Sequence, residues 1–404
     1  MKTILLTLFS VLILQYGQAQ NINDNKVSFD YIQLPLIKVR DAYKTYETRV
    51  EHAYLESNKD SLTMQELRKQ RYETEFSNYK KNRDAIQTSY YNRLADWENK
   101  VNNGILSADG KPFPKPTAPL YPQAPDYLNV SQVQLNSDLP NESVTKGINI
   151  QGFKKGLGGS ILTINVQAVR NIKIIEKKSG TGKSTKYTYK CEYQLPVMVK
   201  FETPTDGVIF QEVILQGNQY YTMKSYKNKY EHKIYMLNNK ALFYRELESS
   251  ARKKAILATN EYLNNQLGYV RKSRRTEIYS VKKFKQYDYS DVTVAYSQTI
   301  AALNLVGKDK DHSSAKEKLE QALGQWKQVM LESNDYDKKA RINDKISGVI
   351  HCNIAEIEFW MNNFDNANTS VNLAINSGVL KARSHAKYVQ SFYNNSRSRW
   401  NVHY

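Results

Sequence analysis

Between Asp344 and Gly378 the apolar side chains recur at helical spacing. Ile346, Val349, Ile350, Ile354, Ile357 and Met361 fall three or four apart, which places them on one face and predicts a helix over 344–361. After the turn Asn362-Asn363-Phe364-Asp365, small and apolar residues resume as Ala367, Val371 and Ala374. They predict the buried face of a second, shorter helix that stops near Gly378. Upstream, an apolar helix is predicted over 292–306. It is followed by Ala315, Leu319 and Ala322, by further helix through Trp326 and Leu331, and by a charged link around Asp335 to Arg341. A helix over 241–267, closed by Gly268, would bury Leu247, Ala251, Ala258, Tyr262 and Leu263.

The first part of the chain mixes periods. Residues 27–36 alternate up to Pro35 and predict a short strand or extended arm. Over 39–53 both periods fit: Val39, Tyr43, Tyr46, Val50 and Ala53 suit a helix, Tyr46, Thr48 and Val50 a strand. Helix is the preferred assignment. Thr63 with Glu66 makes a capping box ahead of Leu67, Tyr72, Phe76, Tyr79, Ile86, Tyr90, Leu94, Trp97 and Val101. That face predicts one long amphipathic helix, stopped by Asn102-Asn103-Gly104, with its aromatic stripe in a core or coiled coil. Six of the ten prolines fall between Pro112 and Pro125, so a stiff extended linker or surface strap follows. From Tyr127 to about Leu242 the period becomes two. Strands are predicted at 148–150, 161–169, 172–176, 187–193, 197–201 and 208–215, with glycine turns at 156–159 and 180–182.

These elements predict an α+β protein in five parts: a leader over 1–19, a mainly helical region over 27–104, a proline-rich linker over 105–126, an antiparallel sandwich-like or barrel-like domain over 127–240, and a helical domain over 241–404.

Asn353-Ile354-Ala355, then Phe364-Asp365-Asn366-Ala367, then Val371 and Ala374 resemble a tetratricopeptide repeat, with small residues at the helix crossing. Ala315, Leu319 and Ala322 repeat the second-helix spacing. Glu358, Asn362 and Val379 depart from the pattern, standing where an aromatic, the turn glycine and the closing proline are usual. The copies are also further apart than the usual spacing of about 34 residues. The resemblance covers the last third of the chain. It implies a short array of helical hairpins that presents a surface to a partner protein and performs no reaction.

Charge and candidate chemistry sharpen this picture. Lys2, the apolar run 4–14 and Gly17-Gln18-Ala19 have the form of a cleavable secretory leader. No cysteine follows for a lipid anchor, and no later stretch is long and apolar enough to span a bilayer. A periplasmic or extracellular location is therefore expected. Secretion turns a net charge of +18 away from nucleic acid and towards an envelope protein or an anionic glycan or lipid surface. The basic and aromatic stretch after Gly268 is the candidate binding patch: Arg271, Lys272, Arg274, Arg275, Tyr279, Lys282, Lys283 and Lys285.

Catalytic candidates are weak. Gly180-Thr181-Gly182-Lys183-Ser184 ends like a phosphate loop, but Lys177 stands where that loop needs glycine and a strand follows. Glu356 and Glu358 are expected on a solvated helix face. Cys352, beside His351, is expected to be a buried thiol, and Cys191 lies far away in the chain. The scattered histidines suggest no metal site or cofactor. The function expected is non-catalytic: a scaffold or adaptor for a partner protein. The alternative is a module for anionic envelope glycan or lipid headgroups, with a hydrolase built from distant acids as a third possibility.

Overall fold

The computed structural model describes residues 21–126, 136–215, 219–283 and 287–404. The expected leader lies outside them. The chain is α+β, and among the described residues the apolar side chains gather into two cores.

The first core is built on β-structure. β1 (Asn21–Gln33) does not join it, but β2 (Thr45–His52) does, and it is followed by helices α1 (Tyr54–Asn102) and α2 (Asn141–Gly147). Then come β3 (Lys154–Lys155), β4 (Ser160–Val166), β5 (Arg170–Ser179), β6 (Lys186–Gln194), β7 (Val197–Thr203), β8 (Gly207–Ile214) and β9 (Gln219–Thr222). One sheet has the order β3-β2-β4-β7-β8 and the other β5-β6-β9. Along β7, Val197, Val199 and Phe201 are buried in alternation, and helix α3 (Lys229–Leu267) adds Phe243, Leu247, Ala251 and Leu263 to the same core.

Three expectations change here. Residues 45–52 are strand, not helix: Tyr46 pairs in parallel with Ser160 and His52 with Val166, so the sheet is mixed rather than antiparallel throughout. It also stays open, so no barrel closes. Helix α3 crosses the boundary expected at 240, because its inner face completes the core of the β-rich part.

Parallel strands need a long crossover, and the connection from β2 to β4 is where an arm is inserted. The 49 residues of α1 extend about 73 Å at about 1.5 Å per residue. Only Tyr54 of this helix is buried. The helix starts ahead of Thr63, whose hydroxyl donates to Lys59 O one turn back and so caps nothing. Its aromatic stripe enters no core. The proline-rich segment runs back along α1, with Trp97 Nε1 donating to Phe113 O at 2.8 Å near the tip and Asn58 Nδ2 to Asn136 O at 2.8 Å near the base. Phe113, Pro116, Pro119 and Pro125 are half-buried at the three-residue repeat of an extended proline helix, which rises about 3.1 Å per residue. In that form Phe113 to Pro125 would span about 37 Å, the length of Tyr72 to Trp97 along α1. At the base, the Glu248 carboxylate accepts from Ser137 N and Oγ, and Arg252 donates to the carbonyls of Ser137 and Asp138.

The second core joins distant parts of the chain. β1 pairs antiparallel with β10 (Val270–Lys283), from Asn21 opposite Lys283 to Gln33 opposite Val270. This ribbon packs against α4 (Ser290–Leu303), α6 (Asp344–Trp360) and α8 (Leu380–His403). Helices α5 (Ser313–Met330) and α7 (Phe364–Asn376) stand beside them, so that α4/α5 and α6/α7 form successive hairpins closed by α8. Ala315, Leu319, Ala322, Ile354, Ala355, Ala367, Val371 and Ala374 are buried, and Phe364 is half-buried against them. Trp326 Nε1 donates to Thr299 Oγ1 at 2.9 Å across the first hairpin.

Gly307 sets how closely the ribbon approaches. A Cβ there would lie 2.5 Å from the backbone oxygen of Asp30 in β1. Gly307→Ala is therefore expected to destabilise the second core by about 1–3 kcal/mol, read as a lower urea midpoint. An unchanged midpoint would show that the ribbon can shift freely.

Candidate functional site

The basic strand β10 alternates between two faces. Arg274, Thr276 and Ile278 point into the second core and are buried. Arg274 donates from Nε and Nη2 to the Glu356 carboxylate at 2.8 and 3.0 Å, and its guanidinium lies 3.8 Å from the centre of the Phe392 ring. Glu356 also accepts from Trp360 Nε1 at 2.9 Å, Tyr393 OH at 2.8 Å and Thr276 Oγ1 at 3.2 Å. Burial would raise this carboxyl, but the Arg274 charge and the donors outweigh it and hold it down to about 2. Glu358 is buried too, accepting from Asn363 Nδ2 at 2.8 Å with Lys327 Nζ at 3.6 Å. Neither acid sits on the solvated face expected for it. α6 is enclosed by its neighbours, and each buried carboxylate has its own cation.

Tyr279 is also inside. Its backbone N–H donates to Asn353 Oδ1 at 2.9 Å, and its carbonyl accepts from Asn353 Nδ2 at 2.8 Å. A side chain of α6 thereby occupies the outer edge of β10. Arg274 and Tyr279 must therefore be removed from the surface patch that the sequence predicts. Arg271, Lys272, Arg275 and Lys282 are exposed, but alternation divides them between the two faces. Arg271 Nη1 lies 3.7 Å from Asp30, and Nη2 donates to Gly307 O at 3.1 Å. Lys285 falls outside the described residues, and of Lys283 only the backbone is described.

The other face of the ribbon carries the better site. Asp24 and Lys26 of β1, Arg275 and Glu277 of β10, and Lys381, Ser384, His385 and Tyr388 of α8 line an open cavity of about 550 Å³. Lys381 Nζ is tied to Asp24 at 2.8 Å, and that contact depresses the Asp24 carboxyl. Glu277 accepts from Tyr279 OH at 2.8 Å and has His385 Nδ1 at 3.9 Å. Burial lowers the His385 pKa, so the ring is neutral at pH 7. Lys26 and Arg275 are exposed, and neither forms a salt bridge among the described residues. The cavity therefore offers two uncommitted cations, a neutral imidazole and a phenol. This set suits a carboxylate-bearing or other anionic group better than it suits proton transfer.

Comparison with protein-family models, with curated proteins and with solved structures finds no match. The site is thus read from its own geometry.

A second cavity, of about 510 Å³, lies at the base of the arm beside Leu139 and Ile256. Its buried ions Glu248 and Arg252 are spent on each other, at 2.7 Å, and on the chain at Ser137. The thiols are not poised for chemistry either. Burial pushes Cys191 up to about 11 and Cys352 higher still, and the two lie in different cores as free cysteines. Gly180 to Ser184 forms the turn between β5 and β6, where Ser184 Oγ donates to Thr181 O. Among the described residues no three His, Cys, Asp or Glu side chains converge as a metal site would, and no helix is long and apolar enough to cross a membrane.

Asp24, Lys26, Lys381, His385 and Tyr388 escape a reading of the sequence because they come from opposite ends of the chain. The only signal was the alternation over 27–36, which marks β1 as a strand without naming its partner.

Proposed function

We propose that the protein is a non-catalytic adaptor of the cell envelope. Helical hairpins of tetratricopeptide-like kind form its base, and an acidic segment of a partner protein docks at the seam between the ribbon and α8. The observation that carries this reading is the pair of uncommitted cations, Lys26 and Arg275, at a cavity of about 550 Å³. The side of the array made by α4, α6 and α8, where a helical array would take a peptide, is filled by the protein's own ribbon. The leader over 1–19 is the reason for placing the adaptor in the periplasm or outside the cell, and the arm gives it reach.

The test is affinity capture from intact envelopes with the mature chain and with Lys26→Glu/Arg275→Glu. The mature chain is expected to retain a reproducible protein, and the variant to lose about nine-tenths of it because exposed charges steer and hold an acidic partner. Equal retention by both, or no reproducible protein, overturns the reading.

The exposed Arg271, Lys272 and Lys282 favour a second reading, retention on an anionic envelope glycan or lipid headgroup. Neutralising Arg271, Lys272 and Arg275 together, with Arg274 left intact, should then lower retention on an anionic glycan column and flatten its salt dependence. Unchanged elution would reduce these side chains to solvated surface.

A further inference from the structure

Helix α3 breaks at Asn239, where φ is −125° and ψ is 20°. The segment ahead of the break, 229–238, is a short helix with its own two faces. Inward, His232 stacks on Tyr189 with ring centres 3.4 Å apart and planes within 7°, and Tyr235 and Met236 are half-buried against the β-rich core. Lys229 is tied to Glu176 at 2.8 Å. Outward stand Tyr230, Ile234 and Leu237, which are 71 %, 39 % and 74 % exposed. Their spacing of four and three puts them on one stripe, turned roughly 140–200° from His232 at about 100° per residue.

Lysines flank the stripe. Lys227, Lys233 and Lys240 are exposed and form no salt bridge among the described residues. Glu231, the one acid in the stretch 227–240, is engaged at the helix start, accepting from Lys227 N and Asn228 Nδ2. The surface is thus an apolar ridge in a cationic frame.

We propose that this outward face of α3 docks on an anionic phospholipid bilayer, with the helix lying in the interface and Tyr230, Ile234 and Leu237 set among the headgroups. The arrangement matches what holds a helix at a lipid surface: apolar side chains on one side, with long basic side chains whose stems lie flat and whose amines reach the phosphates. Three apolar residues are too few for a neutral bilayer, so the lysines make anionic lipid a requirement. Charge complementarity also selects this occupant over a second copy of the chain, whose identical frame would bring lysine against lysine. The surface is separate from the seam at Lys26 and Arg275, and the inference does not rest on the adaptor reading.

The test is flotation of the mature chain with vesicles of phosphatidylcholine alone and with about one-third phosphatidylglycerol. Binding is expected to the anionic vesicles only, reduced about tenfold by Ile234→Ser/Leu237→Ser and by raising salt from about 0.05 to 0.5 M. It should be unchanged in Lys26→Glu/Arg275→Glu. A Tyr230→Trp variant should shift its emission to the blue when anionic vesicles are added. No flotation with anionic vesicles, or equal flotation of the serine variant with an unshifted tryptophan, overturns the proposal. Retention on a soluble polyanion without flotation also overturns it, making the face a polyanion site instead. The substituted side chains are solvent-exposed, so a melting curve that superposes on that of the parent chain shows that the fold is unchanged.

Discussion

Arg274→Met is expected to cost about 3–5 kcal/mol of the stability of the second core, because it leaves the Glu356 carboxylate buried without its cation. Glu356 is fully enclosed and Arg274 nearly so. The pair links β10 to α6, and through Tyr393 OH to α8. Desolvation of an unpaired ion is the dominant effect, so Glu356→Leu alone should be comparably harmful, stranding the guanidinium against Phe392. The double variant Arg274→Met/Glu356→Leu should lose less than either single one, since two apolar side chains then replace two mutually dependent ions. Urea unfolding followed by tryptophan emission would report this, because Trp326 and Trp360 are buried in the same core. Single variants within about 1 kcal/mol of the parent would show that the site is wet and the pair dispensable. The result also bears on function: a loss of ligand retention in any variant that alters Arg274 reports unfolding, not recognition.

Acid should weaken the second core in two stages. His312, His351, His385 and His403 all have pKa values pushed down, chiefly by burial. Around them stand Asp309 and Asp311 for His312, Asp335 for His351, Glu277 and Glu356 for His385, and Lys38, Lys44 and Lys310 for His403. A histidine whose folded pKa lies below the unfolded value of about 6.5 binds its proton more readily once unfolded. Its contribution is therefore complete above about 6.5 and declines as the pH falls towards the folded value. Glu356 acts in a lower window. Its folded pKa is held to about 2 against about 4.3 when unfolded, so its contribution of about 3 kcal/mol is present above about 4.3 and drains away towards 2. The urea midpoint is expected to fall between pH 7 and 5, and again below about 4.3. A midpoint flat from pH 7 to 5 would mean that the histidines are wetter than their surroundings indicate.

Legibility from sequence followed the range of the interactions. The faces Ala315, Leu319, Ala322 and Ala367, Val371, Ala374 were readable because a helix buries side chains at a spacing visible within a dozen residues, and because each packs on its neighbour in the chain. Residues 45–52 were not, since Tyr46 and Val50 satisfy both periods and only pairing with Ser160 and Ile164 decides between them. Arg274 looked like its basic neighbours for the same reason: the carboxylate that draws it inside is 82 residues away. The seam is the extreme case, assembled from positions near 24, 275 and 381. Composition alone could say that cations were abundant, but not which would remain uncommitted.

Pairing β1 with β10 has a consequence for biogenesis. During synthesis Asn21–Gln33 leaves the ribosome long before Val270–Lys283 is made, so the earliest strand must wait through most of elongation with its ladder unformed. Val27 and Phe29 stay exposed to solvent or to a chaperone for that interval, and closure over so long a loop makes assembly of the helical half slow. The last helix then clasps the segment just beyond that strand, with Arg399 donating to Leu34 O and Lys38 to His403 O. The helices of the second core should accordingly settle only after termination, and a nascent chain stalled before residue 270 should remain protease-sensitive at its amino end.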